Sequence, residues 1–173
     1  MQDATLELLA HPIELARLCA GAGASSFAVL LGEEFRACEP SMAATGAVAE
    51  ADTGVVFEME GAASGLVALL FPASQGDAVC ASLGIEEETA RRSALSEVGN
   101  IVVSRAVSAV ANRIGARVLL SVPVLLSDAA GSTLERLLSR RGDASITTTE
   151  LHGASGEPRA LLVIAQDAVR SGC

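Results

Sequence analysis

Four polar residues, Ser93, Glu97, Asn100 and Ser104, follow one another at spacings of four, three and four. In a helix, side chains three and four residues apart are neighbours on one ridge. A carboxylate next to a carboxamide is a useful chemical pair. The carboxylate can grip a cation, and the amide oxygen can accept a hydrogen bond from a water while staying neutral. On the other side of the same stretch, Leu95, Val98, Val102, Ala106 and Ala109 form an apolar arc. Polar residues opposite such an arc are usually just solvated. Gly99-Asn100 in mid-helix argues for more, because Gly costs about 1 kcal/mol and Asn about 0.5–0.7 kcal/mol against Ala there. Close approach of another helix accounts for Gly99. Asn100 points outward, which suits a docking or chemical surface.

Other chemistries find less support. Ser93, Ser96 and Ser104 have no His nearby, so no nucleophilic triad is in view. The cysteines stand at 19, 38, 80 and 173 without a C-x-x-C, and His11 and His152 are far apart, so ligand spacing predicts no metal site. Cys19 and Cys80 sit in apolar, helix-like stretches and read as small buried hydrophobes. The segment Gly21-Ala22-Gly23-Ala24-Ser25-Ser26 follows no strand and does not complete G-x-G-x-x-G, so it reads as helix packing. All twelve basic residues are Arg, and the missing Lys excludes Schiff-base and P-loop lysine chemistry. A net charge of −9, with four Phe and no Trp or Tyr, argues against wrapping nucleic acid, which needs basic grooves and stacking platforms.

The 173 residues, half of them apolar, suffice for a real core without disulfides. Met1-Gln2-Asp3-Ala4 shows no basic leader, and no apolar run reaches spanning length, which predicts a reduced, cytoplasmic protein without a membrane span. The elements that must carry the polar ridge follow from periodicity and breakers. A helix is predicted over 8–31, stopping at Gly32, then a β-pair over 55–60 and 66–71 around a small-residue turn. A short helix follows over 72–83, then a long helix over 85–114 that opens at Glu86-Glu87-Glu88 and stops at Gly115. A strand over 117–126, an amphipathic helix over 132–141 and a second hairpin over 144–151 and 160–166 complete the chain. Arg140-Arg141 would close the amphipathic helix, where cations complement the macrodipole.

The chain also repeats itself. Each of Glu14, Ser25, Ala28, Gly32 and Pro40 recurs 83 positions later, as Glu97, Ser108, Ala111, Gly115 and Pro123. Each half reads as a long helix, a strand ending near a Pro, and a hairpin with a Gly-Ser tip. The predicted class is α+β: two long antiparallel helices packed on an antiparallel sheet, in one domain over 1–173 with pseudo-repeats at about 1–84 and 85–173.

Ser93-x3-Glu97-x2-Asn100-x22-Pro123 resembles the signature of the CheC/CheX/FliY phosphatases of bacterial and archaeal chemotaxis, and 94–101 resembles the family's core string. That family is built from two pseudo-symmetric halves, with two long helices on a six-stranded sheet. In the first half the matching positions are Ala10, Glu14, Arg17 and Pro40, so an Arg replaces the amide. A guanidinium only donates and cannot hold a water as an amide acceptor does. The resemblance is therefore to members with one intact motif, and Arg17 reads as a local ion-pair partner of Glu14.

The resemblance implies a phosphatase for the aspartyl phosphate of a CheY-like receiver domain, with Asn100 orienting the attacking water and Glu97 binding the receiver's Lys. Ser93 and Ser104 would border the docking surface, and Pro123 would mark the end of a paired strand. It implies no cofactor of the protein's own, since Mg²⁺ belongs to the receiver. It leaves open a CheD-like deamidase as partner and a homodimer through edge strands. The runner-up is a non-catalytic adaptor that docks a receiver, a CheD-like deamidase or the flagellar switch. A metabolic enzyme with a small-molecule pocket has no motif behind it.

Overall fold

The computed structural model describes residues 7–42 and 46–168. Its architecture is α+β, with helices on both faces of one curled antiparallel sheet. The first long helix, α1 (Pro12–Leu31), starts later than predicted. Residues 7–9 are helical, but the chain breaks at Ala10-His11, because a Pro at the first helical position disfavours helical geometry in the residue before it. The second long helix is α4 (Glu88–Ile114). Both stop alike: Gly32 and Gly115 take left-handed φ of 67° and 65°, and their N–H groups close on Ala28 and Ala111, also 83 residues apart.

Between and after the long helices lie β1 (Arg36–Ala37), β2 (Ser41–Met42), α2 (Gly46–Ala49), β3 (Ala51–Gly61), β4 (Gly65–Pro72) and α3 (Gln75–Ser82), then β5 (Val118–Leu120), β6 (Val124–Leu126), α5 (Ala130–Ser139), β7 (Ser145–His152) and β8 (Pro158–Gln166). The predicted strand 117–126 is thus two short strands. The sheet runs β1-β7-β8-β4-β3-β5, with β2 also on β7 and β6 also on β3. Each edge is therefore one interrupted strand, and Pro40 and Pro123 stand at the two interruptions. Proline has no N–H to give a ladder and is confined to such edges. Each half lends its broken edge strand to the other half's hairpin, and β4 pairs with β8 at the centre to join the halves.

Two cores lie on either side of the sheet. On one side Leu15, Cys19 and Phe27 of α1 meet Val98, Val102 and Ala106 of α4 over Val55, Phe57, Leu69 and Leu162. On the other, Leu134 and Leu138 of α5 and Val48 of α2 cover Val56, Leu66, Leu70 and Leu161. Neighbouring strand residues supply opposite cores, as the pleat requires. The central strands β4 and β8, covered on both faces, read as near-continuous apolar runs. By length and composition alone α1 and α4 could cross a bilayer, contrary to the sequence reading; here they are the packed helices of the first core.

The Arg140-Arg141 pair also departs from expectation. Helix α5 ends at Ser139, and Arg141 lies beyond its cap. Arg141 reaches Glu58 on β3 and Asp167 just after β8, the latter at 3.0 Å, and so ties three segments together instead of capping a helix. Burial pulls its guanidinium pKa down, but the hydrogen bonds to Glu58 and Asp167 outweigh this and hold it above its ordinary value.

Candidate functional site

The polar ridge lies on the outer face of α4, because its buried residues Leu95, Val98, Val102, Val103, Ala106, Val107 and Val110 commit the other face to the core. Ser93 and Glu97 are exposed, and Asn100 and Ser104 are half-buried. Ser104 Oγ donates a long hydrogen bond, 3.5 Å, to Asn100 Oδ1, one turn earlier. An amide oxygen has two lone pairs, so this contact orients the side chain and leaves one acceptor site free. Glu97 makes no ion pair among the described residues, and its carboxylate stands open to solvent one turn from Asn100.

Gly99 fixes how deep this ridge sits. A Cβ placed on it would lie 2.7 Å from Val55 Cγ2 and 2.8 Å from Val55 Cβ. The close approach behind this glycine is therefore to strand β3 and not, as the sequence suggested, to another helix. The helix–helix contact uses Gly23 of α1, where an added Cβ would meet Val102 Cγ1 at 3.5 Å. The glycine-serine segment around it is helix interior, as the sequence reading has it.

The equivalent face of α1 is closed. Arg17 donates to Glu14, three residues before it, and to Glu39, which precedes Pro40 at the interrupted edge strand. These two hydrogen bonds and the flanking charges push the Arg17 pKa further up. Glu39 is a partner that sequence spacing did not reveal, because the chain reverses between α1 and the sheet edge. The two faces thus differ in electrostatic state: among the described residues no cation pairs with Glu97, whereas Glu14 is already engaged by one. Ala10 lies outside α1, so this face also lacks the helical turn that carries Ser93 on α4.

Elsewhere, Cys19 and Cys80 are buried as expected. Cys19 donates its thiol to Ala106 O at 3.6 Å, across the α1–α4 contact, and burial pushes its pKa up to about 12. His152 ends β7, with Nε2 2.8 Å from Glu150 Oε2. The sequence-predicted site residues therefore fall into one open group, Ser93, Glu97, Asn100 and Ser104, and one closed pair, Glu14 and Arg17.

Residues 91–127 match the CheC-like family, a segment that begins two residues before Ser93 and runs past Pro123. No curated protein sequence matches the chain. Among solved structures, the chemotaxis protein CheX from Desulfovibrio desulfuricans is 18% identical, with 90% of this chain and 100% of that one superposed at a TM-score of 0.68. CheX from Borrelia burgdorferi, solved in complex with CheY, BeF3 and Mg²⁺, is 16% identical over 90% and 99% of the two chains, with a TM-score of 0.69. FliY from Thermotoga maritima is 13% identical over 96% and 91%, with a TM-score of 0.64. The fold is that of these proteins.

Proposed function

From a chain that carries the CheC-like segment in the fold of the CheX, CheC-like and FliY proteins, we propose a chemotaxis phosphatase that hydrolyses the aspartyl phosphate of a CheY-like receiver domain. The observation that carries this reading is the open pair on α4: an exposed carboxylate at Glu97, with no ion-pair partner among the described residues, one turn from an amide at Asn100 that accepts from Ser104.

Phosphoryl transfer asks a protein mainly for positioning and electrostatics. Water attacks the phosphorus, the bond to the aspartyl oxygen breaks, the aspartate leaves as carboxylate, and the water's proton ends on inorganic phosphate. The leaving group is already good, and the receiver supplies its own Mg²⁺ and Lys. Asn100 holds the attacking water through Oδ1. Glu97 pairs with the receiver's Lys and sets the register, a charge-assisted contact that Glu97 is free to make because no cation among the described residues occupies it. Ser104 acts as a positioning residue through Asn100, and Ser93 borders the contact. The CheX of Borrelia burgdorferi, bound to CheY with BeF3 and Mg²⁺, supports a receiver as the partner class. Because Glu14 is engaged by Arg17, only one of the two faces works.

The test is phosphate release from a phosphorylated, Mg²⁺-loaded receiver, alone, with the protein, and with Asn100→Ala. The expected outcome is acceleration by the wild type and a loss of about a hundredfold with the variant, of the order found when one preorganised hydrogen-bonding group is removed. Acceleration that survives Asn100→Ala sinks the amide mechanism. Stable receiver binding with no acceleration would instead favour the non-catalytic adaptor reading.

A further inference from the structure

On the sheet edge formed by β1 and β7, three donors of different chemistry converge. Cys38, Glu150 and His152 each offer a ligand atom, and these atoms all lie within 4.8 Å of one another. The convergence is built by backbone. Arg36 pairs with His152 and Ala37 with Leu151 in an antiparallel ladder, and Cys38 N–H donates to Glu150 O at 2.9 Å. Cys38 therefore stands opposite Glu150, and Glu150 and His152, two apart on one strand, share a face. A register shift between Leu151 and His152 re-aims the last residue of the strand, as bulges beside sites do. Leu151 faces the core under α1 and α4, so the three donors are on the sheet's other side, away from the Asn100 ridge.

From this geometry we propose that Cys38, Glu150 and His152 bind one Zn²⁺ ion, with a fourth position left for water. Thiolate, imidazole and carboxylate are the ligand types zinc takes, and three protein ligands with an open position is a common zinc arrangement. Tetrahedral zinc holds its donors roughly 3.5 Å apart, so side-chain rotation by about an ångström closes the set. The ion displaces the thiol proton: Cys38 S–H and Zn²⁺ give Cys38 S–Zn and a released H⁺. It also replaces the contact between Glu150 and His152. The result is a clip that fastens the interrupted edge strand to β7. A nucleophilic Cys–His pair fits less well. No hydrogen bond joins Cys38 to His152, and burial together with the Glu150 charge outweighs Arg36 and pushes the thiol pKa up.

The sequence hid this set, because Cys38 and His152 are separated by most of the chain and meet only through the exchange of edge strands between halves. The test is a Co²⁺ titration of the full chain carrying Cys173→Ser, which removes a terminal thiol as competitor. The expected result is a thiolate-to-cobalt charge-transfer band that saturates at one ion per chain and is bleached by Zn²⁺. Cys38→Ser should abolish the band, and His152→Ala should weaken binding by about tenfold or more, with circular dichroism confirming that both variants fold. Zn²⁺ should also raise the melting temperature of the parent but not of Cys38→Ser. No band, a band that never saturates, or one that survives Cys38→Ser overturns the site. None of these readouts depends on a receiver or on phosphate release.

Discussion

Gly99 and Val55 are in such close contact that the helix residue cannot carry a side chain without moving a strand. A Cβ on Gly99 would fall 2.7 Å from Val55 Cγ2 and 2.8 Å from its Cβ. Because Val branches at Cβ and is stiff there, it cannot rotate away. Asn100 is the next residue along the helix, so its depth is set by this contact.

Gly99→Ala therefore brings two opposed effects. Helix propensity favours Ala by about 1 kcal/mol, while overpacking a filled core costs typically 1–3 kcal/mol. With the blocking atom so near the strand backbone, the steric term wins. The expected outcome is a net loss of about 1–2 kcal/mol in urea unfolding followed by circular dichroism, and slower phosphate release as α4 lifts and carries Asn100 with it. A variant as stable and as active as the parent would show that the sheet yields to the helix at no cost.

The carboxylates at 14 and 97 occupy corresponding places but should respond differently to removal. Glu97 has no ion-pair partner among the described residues, whereas Glu14 already holds Arg17, which Glu39 holds from the other side. Glu97→Ala should raise the KM for a phosphorylated receiver by about tenfold or more, or at least 1.4 kcal/mol, with a smaller change in kcat. Glu14→Ala should leave both constants unchanged and barely move stability, because exposed ion pairs contribute little. Steady-state kinetics of the two variants side by side decide it. Equal effects would mean that both faces dock.

Much of this arrangement is legible from the residues. The polar ridge, the apolar arc of α4 except Ala109 (which is only half-buried), both hairpins, and the glycine stops at 32 and 115 follow from periodicity and breakers, and the structure places them there. What could not be read depends on contacts distant in sequence. Gly99 signals a close approach, but its partner is a strand 44 positions earlier (Val55 to Gly99), which no helical pattern reveals. Arg141 looks like a cap until the sheet brings Glu58 and Asp167 to it. The break at Ala10-His11 was available from Pro12, but the apolar spacing of 8–31 runs through it unchanged. The expected arrangement, two long helices on the sheet, misses the second helical layer, α2 and α5 over the far face, which the unbroken apolar runs of β4 and β8 require as cover.

Cys19 gives the fold a dependence on alkaline pH that can be measured with unusual clarity. Full burial raises its thiol pKa to about 12, so the native state keeps a proton that an unfolded chain releases near the ordinary thiol value of about 8.5. Stability from this group is thus complete below about pH 8.5 and is lost as pH rises towards about 12. The slope is about 1.4 kcal/mol per pH unit while the two states differ by one proton. Cys38 and Cys80 are shifted in the same direction and add to the loss. The chain has no Lys and no Tyr, so no other side chain titrates between the thiols and the arginines. Urea unfolding followed by far-ultraviolet circular dichroism, in a non-thiol reductant, should therefore show stability falling between about pH 9 and 11. Cys19→Ala lowers the starting stability through the cavity it leaves, but it should remove about one proton's worth of slope. A slope that Cys19→Ala leaves intact would assign the alkaline loss to the remaining thiols and would mean that Cys19 ionises as readily folded as unfolded.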